Sequence, residues 1–137
     1  GRLFVDSSGW IALVSARDRH HAEAHERFEA AAAQRRRLIT TTLVLAETHR
    51  LLLFRAGPQA ARRGLDRLEA STLLTIEFAT AAHHRAARAW LDRLPDQRIS
   101  YTDAVSFAVM AATACPTAIG FDGDFVVAGF SLWRPAD

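Results

Sequence analysis

The chain has 137 residues, half of them hydrophobic and 23% charged, with a formal net charge of +2, which fits one folded domain spanning 1–137 with its own core. All 17 basic residues are arginine, so chemistry that needs a lysine, such as a P-loop or a Schiff base, is excluded. One cysteine, Cys115, excludes an intrachain disulfide and a Cys/His zinc framework, and suits a reducing cytoplasm.

Arg2 to Val5 reads as a short strand that runs straight into Asp6, with an apolar helix following through Trp10, Ile11 and Leu13. That early acid is not the pattern of a secretory signal. The apolar runs Trp10 to Val14 and Ala104 to Ala112 are too short to span a bilayer, so a cytoplasmic, membrane-free protein is expected. Asp18 to Arg37 is alanine-rich and charged, a helix closing in three arginines. Leu38 to Thr41 is a second strand, and Leu43 to Arg55 a helix stopped by Gly57 and Pro58. Gln59 to Ala70 is a further helix, Leu73 to Phe78 a third strand, and Thr80 to Leu94 a helix halted by Pro95. Tyr101 to Ala114 is a helix entered through Ser100 and Thr102. Thr117 to Phe121 is a fourth strand and Leu132 to Arg134 a fifth. Strands alternating with helices imply parallel pairing and an α/β sandwich.

In an open parallel sheet, ligands bind beyond the carboxyl ends of the strands. Asp6 directly follows the first strand, Asp122 follows the fourth, and Asp103 opens the helix before it. If the first and fourth strands are neighbours where the strand order reverses, these three carboxylates meet in one crevice. Taken singly, Asp6 and Asp103 are equally ordinary as helix-start residues. Glu47 is harder to explain as a solvated acid. At about 100° per residue from Leu43 it falls at about 40°, among Leu43, Val44, Leu51 and Phe54. A charge on that apolar face needs a buried arginine partner or a site. Asp103 behaves alike, since Phe107, Met110 and Ala114 continue its face.

Carboxylates gathered at about 4 Å repel by about 4 kcal/mol per pair at an effective dielectric near 20. Helix N-termini return only about 0.3–1 kcal/mol each. A strong cation or bound protons must offset the difference. Oxygen-only donors select a hard ion, Mg²⁺ or Mn²⁺. Such an ion supplies a water nucleophile and polarises a phosphoryl oxygen, which makes a phosphodiester the expected substrate.

These residues, in this order, resemble the PIN-domain ribonucleases, and especially the VapC-type toxins of type II toxin–antitoxin pairs. "FVDSSGWIAL" resembles the first motif, with Asp6 as the first acid and Ser8 as its small polar companion. "RDRHHAEA" is similar to the stretch that follows the first helix. "TTLVLAETHRLL" carries Glu47, "ISYTDAVSFAVM" carries Asp103 preceded by Thr102, and "AIGFDGDFVVAGFSLW" carries Asp122, with Asp124 able to share or take its role. The resemblance implies a three-layer α/β/α sandwich with a central parallel sheet of four to five strands. It also implies a metal-dependent endoribonuclease using Mg²⁺ or Mn²⁺, a homodimer, and inhibition by a small VapB-like antitoxin. A PIN nuclease of RNA processing without an antitoxin, and a non-cleaving PIN-like module that binds RNA or protein, are the alternatives.

Among the arginines, Arg98 is the expected RNA contact because it precedes the third motif. Arg35 to Arg37, the group Arg62, Arg63 and Arg67, and the group Arg85, Arg88 and Arg93 read as solvated faces or as phosphate contacts. His21 and His25 have metal-ligand spacing but lack a third ligand of that type. Ser7 and Ser8 have no Ser/His/Asp context and are not nucleophiles.

Overall fold

The computed structural model describes residues 1–135. Five strands, β1 (Leu3–Val5), β2 (Leu38–Thr41), β3 (Leu74–Glu77), β4 (Thr117–Ile119) and β5 (Ser131–Leu132), form one sheet. Every pairing is parallel and the spatial order is β3-β2-β1-β4-β5. Helices α1 (Ser7–Val14) and α2 (His21–Ala33) connect β1 to β2, and α3 (Thr42–Ala56) and α4 (Pro58–Glu69) connect β2 to β3. Helices α5 (Ala81–Arg93) and α6 (Tyr101–Ala112) lead to β4, and the single-turn α7 (Asp124–Val127) leads to β5. Right-handed crossovers running outward from β1 to β3 and back from β3 to β5 put α1–α4 on one face and α5–α7 on the other. The architecture is the α/β/α sandwich expected from the sequence.

All residues of β1 and β2 are buried, as strands covered on both faces must be. Strand β1 is apolar, and the two buried threonines of β2, Thr40 and Thr41, satisfy their hydroxyls with the Val5 carbonyl and the Val44 amide. On one side of the sheet Trp10 packs its ring 5.2 Å from that of Phe28. On the other, Phe107 of α6 meets Phe125 edge-on at 5.1 Å, and Trp90 and Phe130 complete the cluster. Each buried aromatic of this kind contributes roughly 1.5–3 kcal/mol. Helix ends follow local chemistry. The Thr41 hydroxyl accepts from the Val44 amide at 3.1 Å to start α3, and Gly57 at φ 93 separates it from α4, which opens on Pro58.

Several boundaries differ from the sequence reading. Helix α2 begins at His21 rather than Asp18, because the Asp18 side chain accepts from the His20 amide at 2.8 Å and makes a turn. It ends at Ala33, with Arg35 at positive φ. Strand β3 stops before Phe78, which is 73% exposed. Strand β5 occupies 131–132 rather than 132–134. Strand β4 ends at Ile119, so Asp122 stands three residues beyond it rather than directly after. The turn there winds into α7, a helix not expected from the sequence. Gly123 is not its pivot, since its φ of −66 is open to any residue.

Helix α1 lies so close to β4 that a Cβ on Gly9 would stand 2.7 Å from the Ile119 carbonyl oxygen. Gly9→Ala therefore forces α1 off the sheet edge that carries Asp6. The expected loss is about 1–3 kcal/mol, read as a lowered urea midpoint at unchanged m-value. An unchanged midpoint would show that α1 shifts freely.

Candidate active site

Strand β1 is bonded to β2 on one side and to β4 on the other, so the strand order reverses between β1 and β4. This is where an open parallel sheet leaves a crevice at its carboxyl edge. Asp6 enters it from the end of β1, at the N-cap position of α1. Its carbonyl accepts from the Gly9 and Trp10 amides, but its side chain makes no capping hydrogen bond. The carboxylate is thus not spent on starting the helix. Asp103 comes from the first turn of α6, where the cap is Ser100, whose hydroxyl accepts from the Asp103 amide at 3.0 Å. Asp122 comes from the loop after β4.

One carboxylate oxygen from each of Asp6, Asp103 and Asp122 lies within 4.8 Å of the others. Asp6 and Asp103 are buried, 2% and 7% exposed, and Asp122 is half-buried. Burial pushes the Asp6 carboxyl up to about 6; the Ser7 amide and Ser8 hydroxyl pull it down by less, and the charges of Glu47 and Asp122 add to the rise. Burial likewise pushes Asp103 up to about 8, reinforced by the charges of Asp6, Asp122, Glu47 and Asp124. These acids oppose one another, and the crevice favours protons or a cation.

Ser8 ties the two strand ends together. Its hydroxyl donates to Asp6 Oδ2 at 3.0 Å and accepts from the Phe121 amide at 2.9 Å. Gly120 lies against this pair: a Cβ there would stand 3.1 Å from Ser8 Oγ and 3.2 Å from Asp6 Cβ. The other Asp6 oxygen, Oδ1, is buried without a hydrogen-bond partner. Three carboxylates within this distance, one of them with a buried oxygen that no protein group satisfies, are a donor set suited to a hard divalent ion, which binds oxygens at about 2.0–2.6 Å. The residues present fit such an ion.

Glu47 and Asp124 flank this trio rather than belong to it. The Ser7 hydroxyl donates to Glu47 Oε1, so the predicted arginine alternative is not what holds Glu47 among the described residues. The buried stripe of α3 is Val44, Thr48 and Leu52, and Phe54, read from the sequence as part of the apolar face, is 75% exposed. Glu47 sits half-buried at the border of that stripe. The Asp124 amide donates to Asp122 Oδ1 at 2.9 Å, and burial, with the charge and hydrogen bonding of Asp122, raises the Asp124 carboxyl. Thr102 offers its carbonyl to the Ser106 hydroxyl, and its recorded contact is not with the acids. Arg98 is exposed in the loop before α6 and does not line the depression over the acids.

That depression holds about 190 Å³, and among the residues bordering it are Ser7, His20 and Arg55, none of which the sequence placed in the site. His20 lies flat on Phe121, ring centroids 4.2 Å apart, while Arg27 stands 4.6 Å from the same ring and donates to the Gly120 carbonyl. His21 bonds the Ala12 carbonyl at 2.7 Å and His25 meets Glu29 at 3.5 Å, so the two do not form a metal pair.

A parallel sheet of this order, with acids converging at its point of reversal, is the framework of a PIN domain. The PIN-domain family profile matches residues 3–131, and the chain belongs to that family. It is 38% identical over 133 residues to the 23S rRNA-specific endonuclease VapC20 of Mycobacterium tuberculosis, covering 97% of this chain and 98% of that one. The crystal structure of the same VapC20, described as a sarcin–ricin loop cleaving toxin, superposes with a TM-score of 0.82 at 37% identity over 93% of this chain and 95% of that chain. VapBC2 from Rickettsia felis, crystallised with a DNA fragment from its promoter, shares the fold at a TM-score of 0.72 and 14% identity, over 97% and 98% of the two chains.

Proposed function

We infer that the protein is an endoribonuclease toxin of the VapC type, hydrolysing RNA with the help of Mg²⁺ or Mn²⁺. The observation that carries this reading is the trio Asp6, Asp103 and Asp122, with Asp6 Oδ1 buried and unpartnered. These three residues would hold the ion, with Glu47 and Asp124 beside them. When bound, the ion neutralises the site and stabilises charge developing on the phosphate. The remaining roles belong to the chain. Ser8 fixes the Asp6 carboxylate and the start of the Phe121 loop together, so that the acids from β1 and β4 keep their separation. Ser7 holds one oxygen of Glu47 and leaves the other to accept the proton of an attacking water. Burial excludes bulk water, which strengthens every charge interaction within the crevice.

The finer reading follows VapC20, with which the chain shares nearly its whole length. The substrate is the sarcin–ricin loop of 23S rRNA, the setting is the cytoplasm, and the protein works as a homodimer held in check by a small VapB-like antitoxin. The test is incubation of the purified protein with 23S rRNA and with transfer RNA, in EDTA and with Mg²⁺ or Mn²⁺ restored. One cut in 23S rRNA, seen only with the ion, is expected. Cleavage that persists in EDTA defeats the metal assignment, and no cleavage of any RNA defeats the enzyme. A cut confined to transfer RNA leaves the nuclease standing and removes the ribosomal target. A small antitoxin gene directly upstream supports the toxin reading.

A further inference from the structure

The depression over the acids does not end there. It shares Ile11, Asp18 and Arg55 with a second depression of about 350 Å³, which adds Arg17. That one shares Ser15, Leu52 and Ala56 with a third of about 260 Å³, which adds Arg63 and Arg67 of α4. The three form one continuous groove from the carboxylates along α1 and α3 to α4. Arginines follow it throughout. Arg55 and Leu51, four residues apart on α3, both line the depression over the acids, so that side of α3 faces the crevice. Arg17, Arg55 and Arg63 are exposed, and none is in an ion pair or hydrogen bond among the described residues. By contrast Arg67 already donates to the Leu13 carbonyl at 3.2 Å, and Arg27 and Arg36 are engaged with backbone carbonyls. Beyond Asp6 and Asp122, the acid that lines the groove is Asp18, one of whose oxygens accepts from the His20 amide.

We propose that this groove carries the RNA strand on one side of the scissile phosphate, with Arg55 contacting the phosphate next to the reacting one and Arg17 and Arg63 contacting those further along. The proposal rests on the ribonuclease reading and says where its substrate lies. A crevice of clustered acids repels a polyanion, so a strand that places one phosphate there needs cations immediately beside it. The groove is the cation-lined path that opens directly into the acids. Guanidinium groups grip phosphate through paired donors, and each contact releases counterions on binding. This takes Arg63 out of the arginine group that the sequence left between solvated face and phosphate contact, and moves the expected RNA contact from Arg98 to Arg55.

The experiment compares wild type with Arg55→Ala, Arg17→Ala and Arg63→Ala, and with Arg55→Lys. Exposed Arg85→Ala on α5 serves as the control for charge alone. The probes are a labelled oligoribonucleotide of the sarcin–ricin loop and a polyuridine strand of equal length, bound in fluorescence anisotropy and cleaved with Mn²⁺ at several salt concentrations. Arg55→Ala is expected to raise KM about tenfold with a smaller change in kcat. Each groove variant should lower the slope of log binding against log salt by about 0.7. Arg55→Lys should keep that slope and recover part of KM, and Arg85→Ala should match wild type. Unchanged KM and slope in the groove variants overturn the proposal, as does an equal loss in Arg85→Ala. Variants that bind RNA normally but escape the antitoxin would assign the groove to a protein partner instead. Wild type that binds RNA but never cuts it strikes the enzymatic reading, and the anisotropy arms still judge the groove.

Discussion

Asp103→Asn is expected to reduce cleavage by about 10³-fold or more while leaving the fold and RNA binding in place. Asparagine keeps the volume and removes the charge, so no cavity opens under Ser100 and the α6 N-terminus. What disappears is one of the three negative charges that can gather in the space between β1, β4 and α6. The stability readout separates this from a structural defect. In EDTA at pH 7 the wild-type Asp103, pushed up to about 8, is mostly protonated and already neutral. The unfolded wild-type chain, however, has released this proton above about pH 4, and asparagine stays neutral in both states. The variant should therefore melt above wild type at pH 7 and further above it at pH 9. With Mn²⁺ the order reverses, because wild type gains the full stabilisation of a bound ligand and the variant little of it. Undiminished cleavage in Asp103→Asn would remove the residue from the mechanism. A lowered melting point in EDTA at both pH values would mean that the side chain serves mainly to hold α6.

The reason Asp103 and Asp6 were legible in the sequence is local. An acid that ends an apolar strand, or continues the apolar face of a helix, conflicts with its neighbours at short range, and such conflicts mark sites. Residues 103 to 110 are all buried, as the face running through Phe107 and Met110 implies. Glu47 was found by the same conflict with its surroundings partly misread. Helix-wheel arithmetic weighted Phe54, which stands in solvent with Arg50 5.4 Å from its ring, and passed over Thr48, which is 1% exposed. The place of Glu47 is set by Ser7, forty residues away in the chain, and a contact of that range leaves no periodic trace. The strand boundary at Ile119 has a similar origin. Gly120 must lie without a side chain against Ser8 and Asp6, so the chain leaves the sheet there, and the acids of "FDGDF" belong to a loop and the start of α7. The stack of His20 on Phe121 and the alignment of Arg55 with the acids are equally non-local. They follow from residues at and just before the start of α2 meeting the loop after β4, and from α3 lining the same depression, and no single segment announces them.

Metal-free protein is expected to lose stability as pH rises from about 4 through about 8, the reverse of ordinary acid denaturation. The folded state raises Asp6 from 3.8 to about 6 and Asp103 from 3.8 to about 8. Between the unfolded and folded values the native protein holds protons that the unfolded chain has released, so stability falls with rising pH. The contribution is whole below the unfolded value near 4 and is lost through about 6 for Asp6 and about 8 for Asp103. Each proton held in this way contributes a slope of about 1.4 kcal/mol per pH unit. The recorded ion pairs that oppose this trend, such as Arg27 with Glu23, are exposed on the glutamate side, and pairs of that kind are worth little. A divalent ion takes the place of the protons and binds the ionised acids, so its stabilisation grows with pH. Urea midpoints measured in EDTA and with Mn²⁺ should diverge as pH increases from 5 to 8, the EDTA series falling and the Mn²⁺ series level or rising. Midpoints in EDTA that stay flat or climb over this interval would show that Asp6 and Asp103 are ionised at no cost. The crevice would then need no cation, and the metal-dependent mechanism would lose its physical basis.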